Sequence, residues 1–540
     1  MHWLLLSQLL ALSATYTLAA APGPLDVNLT SGTFRGATTD NGTEHWLGIP
    51  YAQPPVGNLR FKAPVAIKTP HKGLQNATAF GDACPQAASS TLGAPVGENC
   101  LFLNVWRPTN TTASEKLPVL VWIHGGYFMQ GAASDPAFDP TRMIQRSVSN
   151  GKPILFVSLN YRVNTFGFIA SEHLAVQDLN AGLQDQRLAL EFVQDNIAAF
   201  GGDPTKVTLW GQSAGAGGAE TQLVYFSPRK LFRAAIMDST TGPFKTSPVP
   251  STYDKANGSY TRLVDAVGCP QGSGSLSCLK QVPIAQLMNV SNTMYNAILN
   301  KLLWAAAPAP GNMINELSST RIAQGNFMHI PLIAGSNLND GSMFSTSLSG
   351  LNLTGPAQDK AFQQFVLAGL VDASRVTPDV LDELTQLYPA NDSALGAPFN
   401  TGDSLFDRGS AYYGENSYLA PRRRLFEAAA GKQDLWAYYF TEFLPGESKK
   451  LGVRHGSELK LLLGPTPSDV EADFTNTFLD FWLNFVNDLN PGSAWTKWTS
   501  QNKQALQLMR DNLTMIPDDF GNLNRTNYLN SAKVLEESIR

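Results

Sequence analysis

Short, almost wholly apolar runs alternate along this chain with segments whose apolar residues recur every three or four positions. Leu117–Ile123 (LPVLVWI) and Ile154–Leu159 (ILFVSL) are short, apolar and rich in β-branched residues, the pattern of buried strands. Val207–Trp210 (VTLW) reads as another strand, and Leu332–Ala334 as a weaker one. Gln184–Phe200 reads as a helix, with Leu190, Val193 and Ile197 at helical spacing and Gly201-Gly202-Asp203-Pro204 as its stop. Farther on, Ser468-x-x-Glu471 is a capping box that opens a helix through about Val486. Its stripe of Phe474, Phe478, Trp482 and Phe485 could touch lipid, but amphipathic stripes usually face a core. Strands alternating with helices predict an α/β protein with a large, mostly parallel central sheet and helices on both faces. Ala305–Gly311 and Ser345–Gly355 read as loops within one domain, because no shift in composition flanks them.

The first residues change this picture. Trp3–Leu12 is almost continuously apolar and the small residues Ala19, Ala20 and Ala21 follow, so residues 1–20 read as a secretory signal peptide and 21–540 as a single domain. The n-region carries only the amino terminus and His2, which leaves a membrane anchor or a buried helix as the rival reading. No later apolar run approaches the length of a membrane span, so no stable membrane insertion is expected. Leu535–Arg540 offers neither a hydrophobic tail for a lipid anchor nor a retention tetrapeptide. Export predicts oxidised cysteines. The four allow three pairings, and the sequence-local pairs Cys84/Cys100 and Cys269/Cys278 are the economical choice. Neither spacing suits a metal or a redox pair. N-x-S/T sequons at Asn28, Asn41, Asn76, Asn110, Asn257, Asn289, Asn352, Asn391, Asn512 and Asn524 fit a secreted, N-glycosylated surface, although some can be chance matches.

Composition narrows the function. With 540 residues and 43% hydrophobic content the chain can build a sizeable core. Its 39 basic and 44 acidic side chains, net charge −5 and lack of a basic stripe argue against a nucleic-acid partner.

The candidate chemistry starts at Gly211-Gln212-Ser213-Ala214-Gly215, a match to G-x-S-x-G. Such a string also arises by chance, but here it follows the strand VTLW and precedes small residues that can open a helix, the strand–turn–helix setting of a nucleophile elbow. A serine hydroxyl needs a base and the base an orienting acid, in the chain order Ser, acid, His. His329 and His455 are the candidates downstream. His329 precedes the apolar run Ile330–Ala334, where a structural role fits better; His455 lies in the glycine-flanked loop Gly452–Gly456 and is preferred. Asp340 follows the strand ending at Ala334, where open α/β sheets carry functional groups; a solvated turn aspartate is the rival reading. The strand LPVLVWI runs into His124-Gly125-Gly126-Tyr127-Phe128, whose backbone N–H groups at Gly125, Gly126 and Tyr127 could form an oxyanion hole together with that of Ala214.

With these parts together the chain resembles the type-B carboxylesterase/lipase family, which includes the cholinesterases, from about Val27 to near the C-terminus. The resemblance rests on Gly48–Gly57 (GIPYAQPPVG) with Leu59-Arg60-Phe61, Glu98–Val105, Asn160-Tyr161-Arg162 with Phe166-Gly167-Phe168, Gly182–Gln186 and Asn196–Pro204. It implies an α/β-hydrolase fold, a Ser213–Asp340–His455 triad and disulfides Cys84–Cys100 and Cys269–Cys278. It implies a secreted ester hydrolase acting on a small-molecule ester and water, with no cofactor or metal. Three departures matter. Tyr127 stands where the family usually has a third glycine, Gln212 where a glutamate often precedes the serine, and Asp340 where the acid is often glutamate. Three rivals are weighed. A catalytically dead adhesion protein is expected to lose the nucleophile or base, and both are present. A cholinesterase is expected to carry a Trp between the first two cysteines, and Pro85–Asn99 has no aromatic residue. A lidded lipase is expected to carry a long amphipathic flap in that same loop, which here has only fifteen residues.

Overall fold

The computed structural model describes residues 23–298, 302–465 and 472–540. The signal-peptide reading and the capping box Ser468–Glu471 lie outside the described residues. In chain order the strands are β1 Asp26–Leu29, β2 Gly32–Arg35, β3 Ala37–Thr38, β4 Thr43–Pro50, β5 Leu74–Asn76, β6 Phe102–Pro108, β7 Leu117–Ile123, β8 Leu155–Leu159, β9 Gly202–Gln212, β10 Ala234–Asp238, β11 Leu332–Asn337, β12 Leu435–Phe440, β13 Gln504–Leu508 and β14 Thr514–Pro517. β1, β2 and β5 form a small sheet; the other eleven form one large sheet in the order β14-β13-β12-β11-β10-β9-β7-β8-β6-β4-β3. From β8 to β13 every neighbouring pair is parallel, and the antiparallel pairs are confined to the two edges.

All seven residues of β7 are buried, because both faces of the sheet are covered. Val119, Val121 and Ile123 pack into one core with residues of the helices Ala181–Asn196 and Ala214–Val224. Leu120 and Trp122 point the other way, into a core shared with the helices Thr141–Ser149 and Ala472–Asp488. Phe474, Phe478, Trp482 and Phe485 lie in that second core, so the stripe faces protein. The sheet is mostly parallel with helices on both faces, as the apolar pattern predicts.

Boundaries differ in instructive ways. The helix predicted over Gln184–Phe200 starts at Ala181 and tightens into a 3₁₀ turn at Ile197–Phe200 before left-handed Gly201 stops it. The stop residues Gly202–Pro204 are already strand. The register between β9 and β7 is irregular between Leu117 and Val119, and that irregularity absorbs them. Both local cysteine pairs are joined, Cys84–Cys100 and Cys269–Cys278. Among the described residues no helix is long and apolar enough to cross a membrane.

Candidate active site

A parallel sheet sends the C-terminal ends of its strands to one edge. Ser213 follows β9, Gly125–Tyr127 follow β7, Asp340 follows β11, and His455 comes from the loop after β12, so strands adjacent in the sheet bring together residues far apart in sequence. Ser213 stands between the last residue of β9 and the helix Ala214–Val224, with φ 59° and ψ −125°. Such backbone costs of order 1–3 kcal/mol outside glycine. It is held by Ser213 N–H donating to Asp238 O at 2.9 Å and by Gly217 N–H donating to Ser213 O at 2.9 Å. The flanking glycines have no room for a side chain. A Cβ on Gly211 would lie 2.3 Å from the Gly215 carbonyl, and one on Gly215 would lie 2.0 Å from Ile123 O.

His455 and Asp340 are both buried and meet at 2.7 Å, Nδ1 to Oδ1. Ser239 Oγ (2.7 Å) and Asn337 N–H (2.9 Å) both donate to the other Asp340 oxygen. The two loops are bound side by side: Asn339 N–H donates to Val453 O at 2.9 Å, and Asn337 Nδ2 donates to Arg454 O at 2.9 Å. Gln212 Nε2 lies 3.1 Å from His455 Nε2. An amide nitrogen there must donate, so Nε2 is the acceptor and Nδ1 carries the proton offered to Asp340. Tyr418 stacks on the imidazole at 4.6 Å, and Phe344 meets it edge-on at 5.0 Å. Tyr418 sits on the π-helical turn Glu415–Leu419, and its hydroxyl faces the Ser213 side chain. Two further buried carboxyls lie behind Asp340. Burial pushes Asp238 up to about 7, with the Asp340 charge adding to it and hydrogen bonds from Trp210 (2.6 Å) and Tyr438 (2.9 Å) holding it back. Burial, then the Asp238 and Asp340 charges, push Glu458 well above the usual carboxylate range.

Gly125 passes close under the nucleophile: a Cβ there would lie 3.1 Å from Ser213 Cβ and 2.8 Å from Gln212 O. Tyr127 keeps a left-handed φ of 63°, so the loop retains a glycine-like path with a tyrosine on it. The Tyr127 ring, together with Phe128, Phe244, Leu302, Trp304, Tyr418 and Lys245, lines a narrow cavity that opens on Ser213 and Ala214. His329 is exposed and precedes β11, at the opposite end of that strand from Asp340.

The structure thus brings Ser213, Asp340, His455, Gly125, Gly126, Tyr127 and Ala214 to one cleft. Tyr418, Ser239, Phe344, Trp304 and Lys245 stand around them, and the sequence singles out none of them, since none lies in a motif.

The model of the carboxylesterase family matches residues 24–525. The chain belongs to the carboxylesterase family. Lipase 4 of Diutina rugosa is 34% identical to this carboxylesterase over 543 residues, covering 93% of this chain and 94% of that protein. Secreted lipase 1 of Botryotinia fuckeliana (strain B05.10) is 34% identical over 521 residues, covering 88% of each. The crystal structure of Aspergillus niger EstA superposes with a TM-score of 0.81 at 26% identity, covering 95% of this chain and 99% of that one. The fold is therefore that of the α/β-hydrolases, and the carboxylesterase is a carboxylic ester hydrolase.

Proposed function

We propose that this carboxylesterase is a secreted serine esterase that works through an acyl-enzyme on Ser213. The observation that carries the reading is the buried Asp340–His455 pair at 2.7 Å, with the other imidazole nitrogen turned toward the Gln212–Ser213 elbow. His455 Nε2 leaves the Gln212 amide, takes the Ser213 proton, and Ser213 Oγ attacks the ester carbonyl. Backbone N–H groups of Gly125, Gly126 or Tyr127 and of Ala214 receive the oxyanion. Asp340 holds the tautomer and stabilises the imidazolium. His455 then protonates the leaving alcohol, and water repeats the sequence on the acyl-enzyme. All ten sequon asparagines are exposed, which supports glycosylation of a secreted chain, as do the two disulfides.

The test is Ser213→Ala, which should lower kcat on an aryl ester by several orders of magnitude with little change in Tm. His455→Ala should match it, and His329→Ala should retain turnover. A Ser213→Ala protein keeping more than a tenth of wild-type activity overturns the assignment.

The names of the relatives favour a lipase as the second reading. The loop between Cys84 and Cys100 speaks against a moving flap. Its only helix is the 3₁₀ turn Ser90–Leu92, and Leu92 and Val96 pack inward against Ala83 and Ala132.

A further inference from the structure

Among the described residues Lys245 is the one cationic side chain that lines the cavity holding Ser213. Several buried arginines elsewhere are paired, Arg162 with Asp185, Arg422 with Asp518 and Arg525 with Glu415, whereas buried Arg540 is held by backbone carbonyls. A charge removed from water is costly unless it is paired. Among the described residues Lys245 forms no ion pair. Its ammonium lies over Tyr413 at 3.9 Å and within 5.6–5.7 Å of the Phe344, Tyr127 and Tyr418 rings. It also donates to the Tyr413 hydroxyl.

The charges that act on Lys245 do not supply a partner. Arg540 is a second cation, its Nε donating to the Lys245 carbonyl at 2.8 Å. Asp340 attracts Lys245 from a distance but is occupied by His455, Ser239 and Asn337. Burial drives the ammonium well below the usual lysine range, and Arg540 adds to the effect. The residue is mostly buried and lines the cleft. The rest of the cavity is mostly apolar, from Phe128, Phe244, Leu302 and Trp304, with Thr241 and the Tyr127 and Tyr418 rings completing it. A mostly apolar cavity thus joins a nucleophile to a lysine amine without a counter-charge, and a carboxylate on the substrate would favour its protonated form and complete the pair with a charge-assisted hydrogen bond.

We propose that Lys245 selects esters that carry a carboxylate, pairing with it across the cavity while Ser213 meets the ester carbonyl. The proposal rests on the Ser213 reading above and adds the substrate class. The carboxylate can sit on the acyl or on the alcohol side, and the test has an arm for each. Rates are measured for monoethyl adipate against ethyl hexanoate, and for 4-acetoxybutanoate against butyl acetate, with wild type, Lys245→Met and Lys245→Arg. In Lys245→Met the anionic-to-neutral ratio of kcat/KM should fall at least tenfold on one arm, chiefly through KM, whatever happens to the neutral ester. Lys245→Arg should keep that ratio within threefold of wild type. A fall of less than tenfold on both arms in Lys245→Met, or loss of the ratio in Lys245→Arg, overturns the proposal. Should Lys245→Met not fold, the unaltered enzyme makes the same test. Adipate should inhibit ethyl hexanoate turnover competitively at least tenfold more tightly than neutral adipamide, and equal inhibition overturns the proposal. Turnover of the neutral esters that survives Ser213→Ala would instead remove the Ser213 reading, so the two failures are distinguishable.

Discussion

Gln212 holds the imidazole nitrogen that the proposed reaction needs. Its Nε2 lies 3.1 Å from His455 Nε2, so the residue ahead of the nucleophile touches the base as well as forming the elbow. An amide there stabilises neutral imidazole by donating to it. A carboxylate in the same place would accept a hydrogen bond from a protonated Nε2 and favour imidazolium. Only neutral imidazole acts as the base, so kcat/KM should fall at acid pH, and Gln212→Glu should move that acid limb to higher pH. A pH–rate profile on a neutral ester checks this; a limb that stays put or moves to lower pH would contradict the role given to Gln212. The adjacency was implicit in G-x-S-x-G, but the contact was not, because His455 comes from a loop 243 residues away.

The helix behind the nucleophile and the rim in front of it set two expectations for elements. Helix Ala214–Val224 is buried along its whole length and carries Glu220, whose Oε2 accepts from Thr240 at 2.7 Å. Burial pushes that carboxyl up to about 7, against the Thr240 hydrogen bond and the Arg424 charge. The folded state therefore holds a proton that the unfolded chain has already lost. The associated stability is present below about pH 4.5 and is lost as pH rises toward 7. Glu220→Gln removes this dependence, which is worth up to about 3 kcal/mol. Its Tm relative to wild type should thus be higher at pH 8 than at pH 5, and thermal melts at the two pH values decide it. The rim is fastened rather than hinged. Gln86 exchanges hydrogen bonds of 2.7 and 2.9 Å with Gly131, Ser134 Oγ donates to Leu92 O at 2.5 Å, and Ala83 N–H donates to Pro95 O at 2.7 Å. A short disulfide loop of this length stabilises a fold by about 3 kcal/mol. With its few apolar side chains turned inward the rim has little to lay on lipid. Initial rates on a short triglyceride should saturate smoothly through its solubility limit. A rise of fivefold or more there would be interfacial activation and would restore the lipase reading.

At the scale of the whole molecule, the parallel sheet gathers the ends of β7, β9, β10, β11 and β12 on one side, and the groups collected there set an expectation for choline esters. Lys245 lines the cavity and Arg540 stands behind it, so two basic side chains lie on that side. The aromatic residue that would receive a quaternary ammonium is missing from Pro85–Asn99. A desolvated cation–π site supplies about 2 kcal/mol or more, roughly thirtyfold. Acetylcholine should therefore be no better a substrate than 3,3-dimethylbutyl acetate, its neutral isostere. A kcat/KM preference above tenfold for the choline ester would mean that rings such as Tyr127 or Trp304 have taken that role despite the lysine.

What the sequence determined by itself was whatever is encoded locally. The runs LPVLVWI and ILFVSL are buried on both faces and could be nothing but central strands once they recur between helical segments. Gly211 and Gly215 are legible because only glycine tolerates carbonyls at 2.0–2.3 Å from its missing Cβ. Strands such as Leu435–Phe440 and Gln504–Leu508 were not predicted, since a short apolar run without turn residues on both sides suits helix and strand alike. Only the tertiary structure decided that Gln212 faces His455, that a π-helical turn lays Tyr418 on the imidazole, and that Lys245 stands among four rings without a carboxylate. These contacts join segments from tens to more than two hundred residues apart, and such pairings leave no periodicity in either segment. They arise from the order of the strands across the sheet, which no single stretch of the chain records.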